Sequence, residues 1–217
     1  MIVKYKSALI LYGMLLLIIT FSFVIQLITN THWVYLGIKP RSVEGLLGII
    51  GTPFVHSDWE HLINNLLSLA IGLSITVYYY KELVNQVFIY IWIMGGLMVW
   101  LFGRDAYHVG ASGLVYGIIG FILFSGLFRG EKRAIALALL IIFLNQGFII
   151  GLLPLQKQVS YEAHLYSLTT GAVLAYYFRN DYKQIKDPHW NDQNNDNGTW
   201  NYQKHIQLET NEKEDKS

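Results

Sequence analysis

The chain reads as long apolar runs separated by short polar joints. A membrane helix needs about 20 mostly apolar residues, and six runs suggest themselves. Residues 7–28 form the first, preceded by Lys4 and Lys6. It is too long for a signal-peptide core and has no small-x-small cleavage site, so it is expected to stay as a span. Residues 29–59 are too broken by Pro40, Pro53, Arg41 and glycines to cross; Trp33 and Tyr35 suit a segment lying at the lipid–water boundary. The second run, 59–80, has Ser57 or Asp58 as a capping residue, Glu60 in its first turn and an interfacial anchor in Tyr78-Tyr79-Tyr80-Lys81. The third is 83–102, followed by a short loop with Arg104 and Asp105. The fourth opens at His108 and continues to about Phe128, with Ser112 at the helix start. After a tight turn at 130–133 the fifth runs over 134–153, and the sixth over 161–178.

Composition agrees with this pattern. The chain is 53% hydrophobic and 14% charged, against about 25% charged in an average soluble domain. The expected fold class is an all-α polytopic membrane protein with six transmembrane helices. Residues 1–178 are the expected transmembrane domain, and 179–217 a polar tail rich in Asn, Asp, Gln and Lys, expected to be disordered. Asn197-Gly198-Thr199 matches a glycosylation acceptor, read as coincidental on a cytoplasmic tail. Six crossings put both termini on one side. With that side inside, Lys4, Lys6, Lys81, Arg129, Lys132, Arg133, Arg179, Lys183 and Lys186 face the cytoplasm, and only Lys39, Arg41, Arg104 and Lys157 lie outside. The bias favours cytoplasmic termini and puts Ser112 near the outer end of its helix. The net charge of +1 and the lack of a basic cluster give no sign of nucleic acid. With no cysteine, disulfides, thiolate metal sites and a cysteine nucleophile are excluded.

Polar groups inside spans are costly and usually face a bundle interior. His61 and Asn65 share a face of the second run, Ser112 starts the fourth, and His164 lies near the start of the sixth. Those positions predict similar depths below the outer surface. Gly113 and Gly117 form a side-chain-free face on the fourth run, and Tyr116 lies one turn from Ser112. Ala163, Ser167, Gly171 and Ala175 form a small-residue stripe on the sixth, suited to close contact with that face. Such contact brings His164 towards Ser112. A serine hydroxyl is a weak nucleophile until a base takes its proton, and an imidazole with an ordinary pKa near 6.5 is mostly neutral at pH 7. No acid shares the His164 face, since Glu162 points elsewhere, so the pair is expected to be a dyad. His61, Asn65 and the Ser112 amide are candidate donors to an oxyanion. Each feature also has a plainer reading: a packing helix with an incidental serine, polar groups that bond between helices, a satisfied packing histidine. His108 reads as an interfacial loop histidine.

The pattern resembles the rhomboid family of intramembrane serine proteases. Gly110-x-Ser112-Gly113 with Tyr116 is similar to the family's nucleophile motif. His61-x-x-x-Asn65 is similar to its second-helix motif, and Ala163-His164 with downstream small residues to its sixth-helix motif. His56 is similar to a further family histidine. The resemblance covers residues 1 to about 178. It implies Ser112 as nucleophile, His164 as general base and then acid, and His61, Asn65 and the Ser112 amide as oxyanion hole. It further implies Tyr116 packed on the His164 ring, Gly110 leaving room at the site, a half-submerged first loop, a mobile cap at 152–160 and substrate entry beside the fifth span. The substrate implied is a transmembrane helix of another protein in the lipid bilayer, with no metal or cofactor, in a bacterial inner membrane. A monomer can hold the whole site. There are two departures: Ser167-x-x-x-Gly171 where many relatives have two glycines, implying a slightly looser helix contact, and no Trp-Arg pair in the first loop to anchor it.

Two rival classes fit less of the sequence. An inactive relative that binds membrane helices usually lacks the serine or histidine. A small transporter explains intramembrane His and Asn but not the serine motif on a glycine face. There is no His-Glu-x-x-His for zinc and no aspartate within a span for an aspartyl mechanism.

Overall fold

The apolar runs become helical, and the polar side chains of Asp58 and Ser160 cap the second and the sixth. The computed structural model describes residues 2–145, 147–156 and 158–181, with side chains from residue 6 onward. The expected disorder from 182 to the end, the Asn197 acceptor site, Lys183, Lys186 and Lys157 lie outside the described residues. Among those described there are eight helices: α1 Ile2–Thr29, α2 Val43–Gly51, α3 Trp59–Tyr79, α4 Val84–Phe102, α5 Ser112–Arg129, α6 Lys132–Leu144, α7 Phe148–Gly151 and α8 Tyr161–Tyr177.

Among the described residues, four helices are long and apolar enough to cross a membrane: Lys6–Thr29 within α1, and α3, α4 and α5. The fifth run is not the single helix expected over 134–153. α6 stops after 13 residues, about 20 Å at 1.5 Å per residue. The stop falls at Asn145, whose backbone leaves the helical region at φ −91°, ψ 80°. Its side-chain N–H donates to the Ile141 carbonyl at 3.0 Å, and its Oδ1 accepts from Ser68 of α3 at 2.8 Å. A short polar side chain that bonds its own backbone competes with helix continuation. The chain resumes as α7. The sixth run, α8, has 17 residues.

α5 is the central helix, buried along most of its length and closed by Gly130 in the left-handed region at φ 69°. α8 lies along it. A Cβ at Gly171 would overlap the Gly117 carbonyl and come within 2.8 Å of the Phe121 nitrogen, so only glycine permits this approach. The expected single glycine face of α5 is divided: Gly113 faces Ser167 and Ala163 of α8, whereas Gly117 turns its open side to Ile91 of α4. A π-helical turn at Ile91–Gly95 shapes that part of α4. Ser167 fits because a glycine faces it on either side. A Cβ at Gly113 would sit 3.1 Å from its hydroxyl, and one at Gly95 would sit 2.5 Å from it.

The first loop is anchored without a Trp-Arg pair of its own. Trp92 and Trp100 of α4 donate indole N–H bonds to the Ile49 and Ser42 carbonyls, both at 2.7 Å. Arg41 donates to the carbonyls of Gly103 at 2.8 Å and Leu101 at 3.3 Å. Ser22 and Gln26 of α1 hold the Phe54 carbonyl from the other side. Within the loop, Ser42 caps α2 by accepting the Gly45 N–H. α2 keeps Gly45, Gly48 and Ile49 inside and leaves Val43 and Leu47 about 80% exposed, at 81% and 78%. An apolar outward face suits a helix lying at a lipid boundary.

Candidate active site

Three helix starts converge here. Asp58 caps α3 by accepting the His61 N–H at 2.8 Å, which sets His61 and Asn65 one turn apart in its first two turns. Ser112 is the first residue of α5. Ser160 caps α8 by accepting the Ala163 N–H at 3.2 Å, one residue before His164. The loop into α5 turns sharply at Gly110, whose φ of +105° is poorly tolerated by any residue with a side chain. A Cβ there would also lie 2.7 Å from the His61 ring.

Ser112 Oγ lies 2.8 Å from His164 Nε2. On the other side of the ring, Nδ1 is 2.8 Å from the Gly151 carbonyl oxygen. A carbonyl only accepts, so Nδ1 carries the proton and Nε2 is left to accept from the serine hydroxyl. The ring is held flat against Tyr116, centroids 4.0 Å apart and planes 5° apart. Phe148 of α7 stacks on the far face of Tyr116 at 4.1 Å, and its carbonyl accepts the Tyr116 hydroxyl at 2.8 Å. His164 is buried and Ser112 is half-buried, so the hydroxyl is reachable while the imidazole is shielded.

His61 and Asn65 border the same space. The Asn65 amide N–H donates to His56 Nε2 at 3.1 Å, and the Ala111 N–H donates to the same nitrogen at 3.4 Å. That nitrogen therefore carries no proton. His56 meets the His61 ring edge-on at 5.0 Å. The Ser57 hydroxyl donates to Asp58 Oδ2 at 2.6 Å and lies 3.2 Å from His61 Nδ1. Glu162 turns away from His164 to Arg104, 3.4 Å from both its backbone nitrogen and its Nη1.

The structure thus brings Ser112, His164, His61, Asn65, Gly110, Gly113, Tyr116 and His56 into one region. His108 differs from expectation. Expected as an interfacial loop histidine, it does lie in a loop, but it is buried, at 2% exposed, with its ring bonded to Ser160 and to the Arg104 carbonyl. Its partners come from distant parts of the chain, so nothing local marks it as buried. Sequence reasoning also missed the Gly151 carbonyl, a backbone atom with no residue signature, and Phe148, one aromatic among many.

His56 and His108, both outside the membrane helices, are pushed below the ordinary histidine pKa mainly by burial. For His56 the charge on His61 adds to the effect and Asp58 opposes it, leaving it at about 3. An unfolded histidine titrates near 6.5. Below that pH the unfolded chain binds protons that the folded chain refuses, so stability falls as the solution is acidified. The melting temperature in detergent is expected to drop steadily from pH 6.5 to pH 4.5. His56→Gln, which keeps an acceptor for Asn65, is expected to flatten the drop, and a wild-type melting temperature that is constant over this window would contradict the assignment.

Residues 44–181 match the family model described as Rhomboid domain. The chain is 36% identical over 150 residues to uncharacterized proteins of Mycobacterium bovis and Mycobacterium tuberculosis, covering 64% of this chain and 62% of each relative. An uncharacterized protein of Mycobacterium leprae is 31% identical over 150 residues, covering 64% of this chain and 59% of that relative. The matched region therefore spans less than two thirds of these relatives' length.

Proposed function

The chain belongs to the rhomboid family of multi-pass membrane proteins, and from that membership we propose that it is a serine endopeptidase acting within the bilayer. Its substrates are other membrane proteins, cut in or near a transmembrane helix. We read residues 1–178 as the catalytic domain, with α6 and α7 together as a fifth crossing and α8 as a sixth. Both termini then lie in the cytoplasm of a bacterial cell and the site opens towards the outer leaflet.

The observation that carries the reading is the Ser112–His164 bond together with the Gly151 carbonyl behind it. His164 Nε2 takes the proton as Ser112 Oγ attacks the scissile carbonyl, and later returns it to the leaving amine. A water then repeats the sequence on the acyl-enzyme. The Gly151 carbonyl does part of what the carboxylate does in a triad: it fixes the tautomer and favours the imidazolium, with a partial charge in place of a full one. The oxyanion faces the Ser112 N–H at the positive end of α5, an Asn65 amide N–H, and His61 Nε2 when that nitrogen carries a proton.

Incubation of purified protein with a reporter bearing a glycine-containing transmembrane helix tests the reading. Product formation that needs Ser112 supports it; reporter binding without any cleavage would move the chain to the helix-binding class. Asn65→Ala is expected to lower kcat by about 10²–10³, with KM changed far less, because the donor is used mainly in the transition state. An unchanged kcat would remove Asn65 from the oxyanion hole.

A further inference from the structure

His108 takes no part in the chemistry proposed above, yet all its polar atoms are engaged. Its backbone N–H and carbonyl pair with Ile38, both at 2.9 Å, and the carbonyl also accepts the Thr52 hydroxyl at 2.9 Å. On the ring, Nε2 lies 3.1 Å from the Arg104 carbonyl. A carbonyl only accepts, so Nε2 bears the proton and Nδ1 is an acceptor. The Ser160 hydroxyl, 2.5 Å from Nδ1, donates to it. The Ser160 oxygen also accepts the Ala163 N–H at the start of α8, and the Ser160 carbonyl accepts the His164 N–H at 3.2 Å.

The spacing repeats that of the reactive pair. His108 to Ser160 and Ser112 to His164 are each separated by 52 residues. His108 precedes Ser112 by the same step by which Ser160 precedes His164. A second serine–histidine pair therefore stands just ahead of the first, with the two residue types exchanged between the strands of chain. Burial is the largest influence on the imidazole and opposes its protonation, as do the charges of Arg104 and Lys39; the Arg104 carbonyl and the Glu162 carboxylate favour it and are outweighed. The ring is thus a neutral acceptor at neutral pH. Protonation would turn Nδ1 into a donor aimed at an oxygen that already accepts from Ala163.

We propose that His108 is a positioning residue for the Ser112–His164 pair. Its ring ties the loop entering α5 to the first turn of α8, and so sets how closely the two helices stand where hydroxyl and imidazole meet. The assignment rests on the serine-protease reading. A displacement of about 1 Å at such a pair costs up to about 10² in rate.

The test is a double-mutant cycle on the full chain in detergent. The readouts are the rate at which a fluorophosphonate labels Ser112, and kcat and KM on the reporter helix. His108→Phe and Ser160→Ala are each expected to lower labelling and kcat about 10-fold with KM within about 2-fold of wild type. The double variant is expected to lose about 10-fold in total, because both changes break one shared bond. Ser160→Asn, whose amide can both cap α8 and donate to Nδ1, is expected to recover to within about 3-fold of wild type. A wild-type rate in either single variant, or losses that multiply to about 100-fold in the double, would overturn the assignment. If His108→Phe is not recovered folded, equal rates for Ser160→Ala and Ser160→Asn overturn it alone. An unlabelled wild type is a separate result: it overturns the serine-protease reading, and this inference with it.

Discussion

Ser112→Ala is expected to lower cleavage of a reporter membrane helix by about 10⁵ or more, and His164→Ala to do nearly as much. The two residues act as one unit, because the hydroxyl is reactive only while Nε2 takes its proton. The Ser112→Ala/His164→Ala double variant should therefore be no slower than Ser112→Ala alone. Both proteins should fold: Ser112 is half-buried, and the Tyr116–Phe148 stack does not need the imidazole between its own two rings. Melting temperature and the appearance of cleaved reporter, measured side by side, check this. Undiminished cutting by Ser112→Ala would end the nucleophile assignment, and additive losses in the double variant would mean that serine and histidine work independently.

Gly171→Ala should be nearly as damaging by a different route. The added Cβ meets backbone, the Gly117 carbonyl and the Phe121 nitrogen, and backbone cannot swing aside as a side chain can. α8 has to move off α5, at a cost of about 3 kcal/mol in stability from overpacking. The same movement separates His164 from Ser112, so kcat in whatever folds should fall by about 10². Gly130→Ala is a useful contrast: a Cβ there meets nothing within 4 Å, so its penalty comes only from the left-handed backbone. Equal stability and turnover for Gly171→Ala and wild type would show that α8 does not need this close approach to α5.

The sequence showed most clearly whatever was out of keeping with its surroundings. His61, Asn65, Ser112 and His164 stood out because each is polar in an apolar run, and a shared depth could be read from direction of travel alone. Stacking of Tyr116 on His164 was implied only by the resemblance to the rhomboid family; the spacing itself shows no more than an aromatic ring one turn from Ser112. What stayed hidden depends on backbone atoms or on partners far along the chain. The end of α6 at Asn145 is a case of dilution: one amide followed by Gln146 and Gly147 vanishes when hydropathy is averaged over a whole run, yet the backbone leaves the helix there, with the Asn145 side chain on the Ile141 carbonyl. The anchoring of the first loop is a case of distance, since Trp92 and Trp100 sit on α4 while the carbonyls they hold are some 40–60 residues earlier, at separations of 43 and 58. His108 combines both: its neighbours in sequence are ordinary loop residues, and its burial is created by chain from 38, 104 and 160.

Ser167 limits its neighbours' freedom to vary. Its single hydroxymethyl group occupies a gap shared by three helices, and glycine lines the gap at 95 and at 113. Volume gained at any one of these three positions has to be given up at another. Over generations they should drift as a linked set, so that descendants carrying glycine at 167 are the ones in which alanine can appear at 95 or 113.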